Sequence, residues 1–231
     1  MSVDISPSPS RGFQMPRPKT LLFAAIAAMY IFVLLTVESF LFDKSNPEWA
    51  HIAPFQWWLL PHGMAAAFAL FLGPFQFSER LRRKYFMVHK TFGYLYIAGC
   101  YIGAPLGLYI QWMEEKLGTF SHSFTIATVL DAGIWMFATT MALIMVLSGK
   151  VQQHRQWMTR SFAVALVFIE VRVIAGVTGW ERLGPGAIET IVWSCLAFSI
   201  LSADIVLQLQ ELRQSRPAVR KAKLAPDLVE V

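Results

Sequence analysis

Four of the five histidines, His62, His89, His122 and His154, fall one to a segment along an otherwise apolar chain. Imidazole is the commonest metal-binding side chain, and two imidazoles facing each other across a gap can grip a haem iron from both sides. A haem held in this way has no vacant position for O₂ and suits electron transfer. His62 and His122, taken with Asp131 and Arg172, also have the chemistry of an intramembrane proton relay. The elements that carry these residues narrow the choice.

Of 231 residues, 55% are hydrophobic and 15% are charged, and the mean hydropathy is +0.48. Soluble domains carry nearer a quarter charged residues, so the apolar excess must face lipid. A spanning helix needs about 20 apolar residues. Six segments qualify: 20–42, 57–77, 88–112, 122–147, 157–179 and 186–209. None alternates as a barrel strand does, so the expected fold is all-α. Short connections predict a six-transmembrane-helix bundle around an up-and-down four-helix core of spans 2–5. Cys100 and Cys195 lie in separate spans with no CxxC spacing and read as small apolar core residues. No phosphate-cradling glycine motif follows a strand, so nothing points to nucleotide-driven transport.

The net charge of +5 and pI of 9.4 raise nucleic acid as a partner, but the placement of the charges argues against it. Every Lys and Arg except Lys44, Lys116, Arg172 and Arg182 falls in the tails, in the loops after spans 2 and 4, or just inside spans 3 and 5. By the positive-inside rule both termini are cytoplasmic, in a multi-pass protein of the cell (inner) membrane. Residues 1–19, rich in Ser and Pro, read as a disordered tail. Residues 20–209 form the membrane domain and 210–231 a basic cytoplasmic tail. The first span is too long for a signal-peptide core and no cleavage site follows it, so it is expected to be retained.

The histidines alternate in depth: His62 outer, His89 inner, His122 outer, His154 inner. Alternate helices of a four-helix bundle are diagonal neighbours, roughly 13–14 Å apart, a gap that suits a flat macrocycle. His62 with His122 would make an outer metal site, and His89 with His154 an inner one. Lys90, Arg155 and Arg160 stand near the inner pair and can meet propionates. Small residues share these faces, among them Ala66, Ala69 and Gly73 after His62, and Gly93 and Gly103 after His89. Such faces make room for a cofactor, and equally let helices pack closely without one. Arg172 follows His154 by about five turns on the same face. A cation at that depth needs a partner, whether a haem propionate, a carbonyl or a carboxylate such as Glu38 or Glu189. His51, Asp131 and Glu170 receive no role in the haem arrangement.

The segments PHGMAAAFALFLGPFQF, KYFMVHKTFGYLY and HRQWMTRSF resemble those of a multi-pass membrane family catalogued as a domain of unknown function. The resemblance covers about residues 57–175, with HRQWMTRS its most specific piece, and implies no established activity. More distantly, His62, His89, His122 and His154 are similar in arrangement to the ligands of ascorbate-reducible dihaem cytochromes b. Those pair span 2 with span 4 and span 3 with span 5, and carry a similar His-x-x-x-Gly, here His89 and Gly93. The present chain departs from them in placing its inner histidines very close to the membrane edge.

The expectation is therefore a b-type cytochrome-like membrane protein that binds one or two haems b and passes electrons, a transmembrane oxidoreductase in outline. Its donor and acceptor are unassigned, with a quinone or small reductant among the candidates, and homo-oligomerisation is left open. The rival expectations are a proton-coupled transporter and a non-catalytic assembly factor for a respiratory complex.

Overall fold

A computed structural model describes residues 18–223. Among them the chain is all-helical: α1 (Pro18–Phe32), α2 (Glu48–Ile52), α3 (Gln56–Gln76), α4 (Glu79–Lys84), α5 (Phe86–Lys116), α6 (His122–Leu147), α7 (Val151–Thr178) and α8 (Pro185–Lys223). Among the described residues six helices are long and apolar enough to cross a membrane: α3, α5, α6, α7, the stretch Thr20–Val37 and the stretch Pro185–Arg213. Large apolar side chains including Phe68, Tyr94, Val129, Phe137, Phe198 and Ile205 lie exposed on the outside of the bundle. Such a surface is stable only against lipid, so a bilayer surrounds these helices.

The helices start and stop where local chemistry allows. Ser121 caps α6, its hydroxyl accepting from the Phe124 amide at 3.2 Å. At the other end of α6, Gly149 turns left-handed with φ +73°. Its amide donates to the Val146 carbonyl at 3.1 Å, and the Lys150 amide reaches back to Met145 at 2.8 Å, closing a Schellman motif. The next helix therefore begins at Val151, so His154 sits inside its first turn rather than at its start. Gly118 ends α5 in the same way, with Thr119 donating to the Glu114 carbonyl at 3.0 Å. That helix consequently runs beyond residue 112, the edge of its apolar run, and carries Glu114 and Glu115 on its last turn.

The remaining boundaries differ from expectation for similar reasons. The first span is not one regular helix. After α1 comes a π turn, Val33–Val37, and then a 3₁₀ turn, Ser39–Phe42. The last helix continues from its apolar part through residue 223, because a helix need not end at the membrane edge if its polar continuation still favours helix. The expected disordered tail at 1–19 lies outside the described residues but for 18 and 19, as does 224–231 of the C-terminal tail.

In the bundle α3 packs on α5, α5 on α6, α6 on α7 and α7 on α8, with α3 also touching α7. This is the up-and-down core expected for spans 2–5, with α1 and α8 outside it. The centre is closed by side chains with no more than 3% exposure: Ala69, Tyr96, Cys100, Trp135, Thr139, Ser161 and Ala165. Trp135 Nε1 donates to Tyr96 Oη at 3.1 Å, and Thr139 Oγ1 donates to the Trp135 carbonyl at 2.8 Å. With those two protons placed, the 2.7 Å contacts of Ser161 have one consistent direction: Tyr96 donates to Ser161, and Ser161 donates to Thr139. The result is a closed ring of hydrogen bonds across α5, α6 and α7. In a membrane interior each of those groups, unpaired, would be costly.

Candidate functional site

The histidines divide into an anchored set and an exposed one. His154, on the first turn of α7, donates through Nδ1 to the Ala142 carbonyl of α6 at 2.8 Å. His62, on α3, donates through Nδ1 to the Gly103 carbonyl of α5 at 2.9 Å. A carbonyl can only accept, so each ring carries its proton on Nδ1 and presents a lone pair at Nε2. Metal-binding histidines are commonly oriented in this way.

His89 lies in the first turn of α5, close enough to His154 for the two imidazoles to interact electrostatically. The Gln76 amide reaches across from the end of α3. Its favoured orientation puts nitrogen 3.1 Å from His89 Nδ1 and 3.3 Å from the His89 carbonyl, and oxygen 3.2 Å from the Gly93 amide. In that state His89 carries its proton on Nε2. Turning the amide over would make its oxygen the acceptor for Nδ1–H and free Nε2. Gly93 is open, since a Cβ placed there would meet only the end of the Gln76 side chain, at 3.6 Å.

The two outer histidines take separate partners. The His62 ring lies against Gly107 of α5, where an added Cβ would stand 2.9 Å from it. His122, the first residue of α6, has a side chain 76% exposed and pairs through Nδ1 with Glu115 at 2.9 Å. His51, on α2, pairs with Glu114 at 3.2 Å.

The basic residues separate too. Lys90 and Arg155, each one residue beyond an inner histidine, are exposed, with Lys90 lying over the Tyr94 ring. Arg160 is held by Asp204 of α8 at 2.9 Å and stacks on Trp157. Arg172 is held by Glu38 at 2.6 Å, near enough to His62 for their charges to interact. Glu38 closes the π turn after α1, its amide bonded to the Val33 carbonyl at 2.9 Å. Glu189, the other carboxylate considered for Arg172, accepts instead from Ser121.

Gln76 escaped the sequence reading, and Asp131 entered it only as a member of the proton relay. Gln76 beside His89 lies at a helix end, where a polar residue is unremarkable. Asp131, left without a role in the haem arrangement, is 2% exposed, and neither carboxylate oxygen has a partner. An acid within an apolar run was the available signal for it. Among the described residues no group of three or more His, Cys, Asp or Glu side chains is placed to hold a metal ion. Cys100 and Cys195 are free and buried, as expected.

The fold and its lipid-facing surface define a helical membrane protein with six candidate spans. The chain belongs to the family described as "Predicted membrane protein (DUF2306)", whose profile matches residues 59–207 and so takes in most of the apolar part of α8. No curated protein and no solved structure matches the chain.

Proposed function

We propose that this chain is a b-type cytochrome-like electron carrier of the membrane, with a single haem b held between His89 and His154 at the basic end of the bundle. The observation that carries the reading is the 2.8 Å bond from His154 Nδ1 to the Ala142 carbonyl, which leaves Nε2 as a ready ligand near His89 on an alternate helix. The donor set suits haem there. His154 is already in the ligand tautomer and Gly93 leaves space alongside, while His89 reaches that tautomer when the Gln76 amide turns over and gives up its bonds to the His89 carbonyl and the Gly93 amide. Haem bound by two imidazoles supplies one-electron reduction and oxidation without an open coordination position.

The protein's part is to orient and to balance charge. Ala142 and Gln76 hold the two rings, and exposed Lys90 and Arg155 supply cations for propionates. Arg160 and Arg172 are left out of that set because each already has a carboxylate. His122 is left out because its exposed ring is paired with Glu115, and His62, although it has the ligand tautomer, is left out because that takes away its expected mate. The proposal extends to orientation: the positive-inside rule favours a cytoplasmic basic end. A Cys at Ser148 in intact cells should then be shielded from impermeant reagents.

Protein purified from haem-replete cells tests the reading. The expected absorption spectrum is low-spin, and the reduced protein should not bind CO. His89→Ala or His154→Ala should remove the colour nearly completely, while His62→Ala and His122→Ala keep it. Folded, colourless wild-type protein would overturn the proposal.

A further inference from the structure

We propose that Asp131 and Glu170 together form a proton-binding site inside the membrane, at the α6–α7–α8 interface, with the Ser199 hydroxyl as its third wall. The site shares no residue with the histidine pair and does not depend on it.

Depth brings the two acids together. Asp131 lies about 14 Å along α6 from His122, and Glu170 about 12 Å back along α7 from Thr178, at about 1.5 Å per residue. The helices run antiparallel, so the two carboxyl groups sit at matching levels within electrostatic reach of each other. From α8, fully buried Ser199 donates to Glu170 Oε2 at 3.0 Å. Ile134, one turn beyond Asp131, packs against the buried cluster that Val167 and Ala175 of α7 form with Ile191, Cys195 and Leu196 of α8, so this face of α6 borders the junction of those two helices.

Asp131 is the group that makes this a site. It is 2% exposed, and both of its oxygens lack a partner. An ionised carboxylate there would have no hydrogen bond from any described residue, a burden of several kcal/mol even after relaxation. The groups facing it supply no compensation. From α7 comes Glu170, of like charge. From α8 come Ser199 and the Cys195 thiol, both close to Glu170. From α5, Tyr96 is occupied one turn away with Trp135. The nearest cation on α7, Arg172, is held by Glu38. A proton on Asp131 removes the unsupported charge and leaves a donor beside Glu170. The ligand that fits is therefore H⁺, bound as a neutral carboxylic acid. Its release would leave two like charges between three helices and loosen the docking of α8.

Infrared spectroscopy of the full chain in lipid nanodiscs reads this directly, because a protonated carboxyl absorbs apart from ionised carboxylate and amide. Wild-type protein at neutral pH, in sodium- or potassium-containing buffer, should show an acid band that shifts in D₂O and disappears reversibly at alkaline pH. Asp131→Asn should abolish the band, and Glu170→Gln or Ser199→Ala should displace it. Glu114→Gln, which alters the other buried acid with an unpartnered oxygen, should leave it unchanged, as should His89→Ala. A neutral-pH wild-type spectrum without the band would overturn the proposal, and this readout needs no variant to fold. A band that survives Asp131→Asn, or that appears only when sodium and potassium are withdrawn, would overturn it too, the latter by making the site a cation site.

Discussion

Tyr96 of α5 and Ser161 of α7, 65 residues apart in the chain, meet at 2.7 Å in the middle of the bundle. Their bond closes a ring through Thr139 and Trp135, so three helices are fixed in rotation and depth at one level. Tyr96→Phe leaves the Trp135 N–H without an acceptor and Ser161 without a donor. A buried group stranded in this way costs about 1–3 kcal/mol. Thr139→Val should cost less, because Thr139 donates only within its own helix and Ser161 can turn to a backbone carbonyl. Thermal unfolding in detergent should rank Tyr96→Phe well below Thr139→Val. Equal losses would mean that the ring does not act as a unit.

Gly99 and Gly93 lie on the same helix and should respond oppositely to alanine. A Cβ at Gly99 would stand 2.5 Å from the Ala65 carbonyl oxygen, and backbone cannot step aside as a side chain can. Gly99→Ala should push α3 from α5 and cost about 1–3 kcal/mol. In haem-free protein Gly93→Ala meets nothing closer than 3.6 Å and should be neutral or slightly stabilising, by up to about 1 kcal/mol. Midpoints of heat-induced aggregation for the two variants would check the contrast.

The Arg172–Glu38 pair fastens the π turn after α1 to α7. Glu38→Leu leaves the guanidinium in place with only the Phe168 carbonyl, at 3.4 Å, as partner. Arg172→Leu removes the more expensive charge. The first should be the worse by about 1–2 kcal/mol, since hydrogen bonds between charged groups count for more than neutral ones. The double variant Glu38→Leu with Arg172→Leu should recover part of that loss. A double-mutant cycle on detergent unfolding with no coupling would remove the pair from any structural role.

Outside the membrane, Asp43 accepts from the Ser45 hydroxyl at 2.5 Å and from its amide at 3.0 Å. These bonds favour the ionised form and hold the Asp43 carboxyl below its ordinary range. Because the folded value is lowered, the turn's contribution is present above the ordinary carboxylate value. It is lost as pH falls through the lowered one. NMR titration of the Asp43 carboxyl carbon should show the lowered midpoint, and Ser45→Ala should move it back up.

The helical class and the spans were legible because they depend on one-dimensional quantities, the length and spacing of apolar runs. The need for a partner at Arg172 was legible for a similar reason, since a lone cation in an apolar run is costly wherever the helix points. Which carboxylate answers it was not. Glu38 is brought there by a π turn that the hydrophobic pattern of Thr20–Val37 does not announce. The alternation of histidines along the chain was also readable, but which partner each ring takes was not, as the bonds of His154 to Ala142 and of His62 to Gly103 show. At the outer end, Gly118 extends α5 far enough for Glu115 to take His122.

The sequence by itself determined that this chain lives in a bilayer, crosses it as helices, and concentrates its cations at one end. Each of these follows from transfer free energies that act residue by residue. Only the tertiary structure decided that Tyr96, Trp135, Thr139 and Ser161 share a ring, and that the Asp131 carboxyl is buried without a hydrogen-bond partner among the described residues. The physical reason is that helical periodicity fixes where a side chain points on its own helix. The rotation and depth of one helix against another come instead from close packing and interhelical hydrogen bonds, which no single stretch of sequence contains.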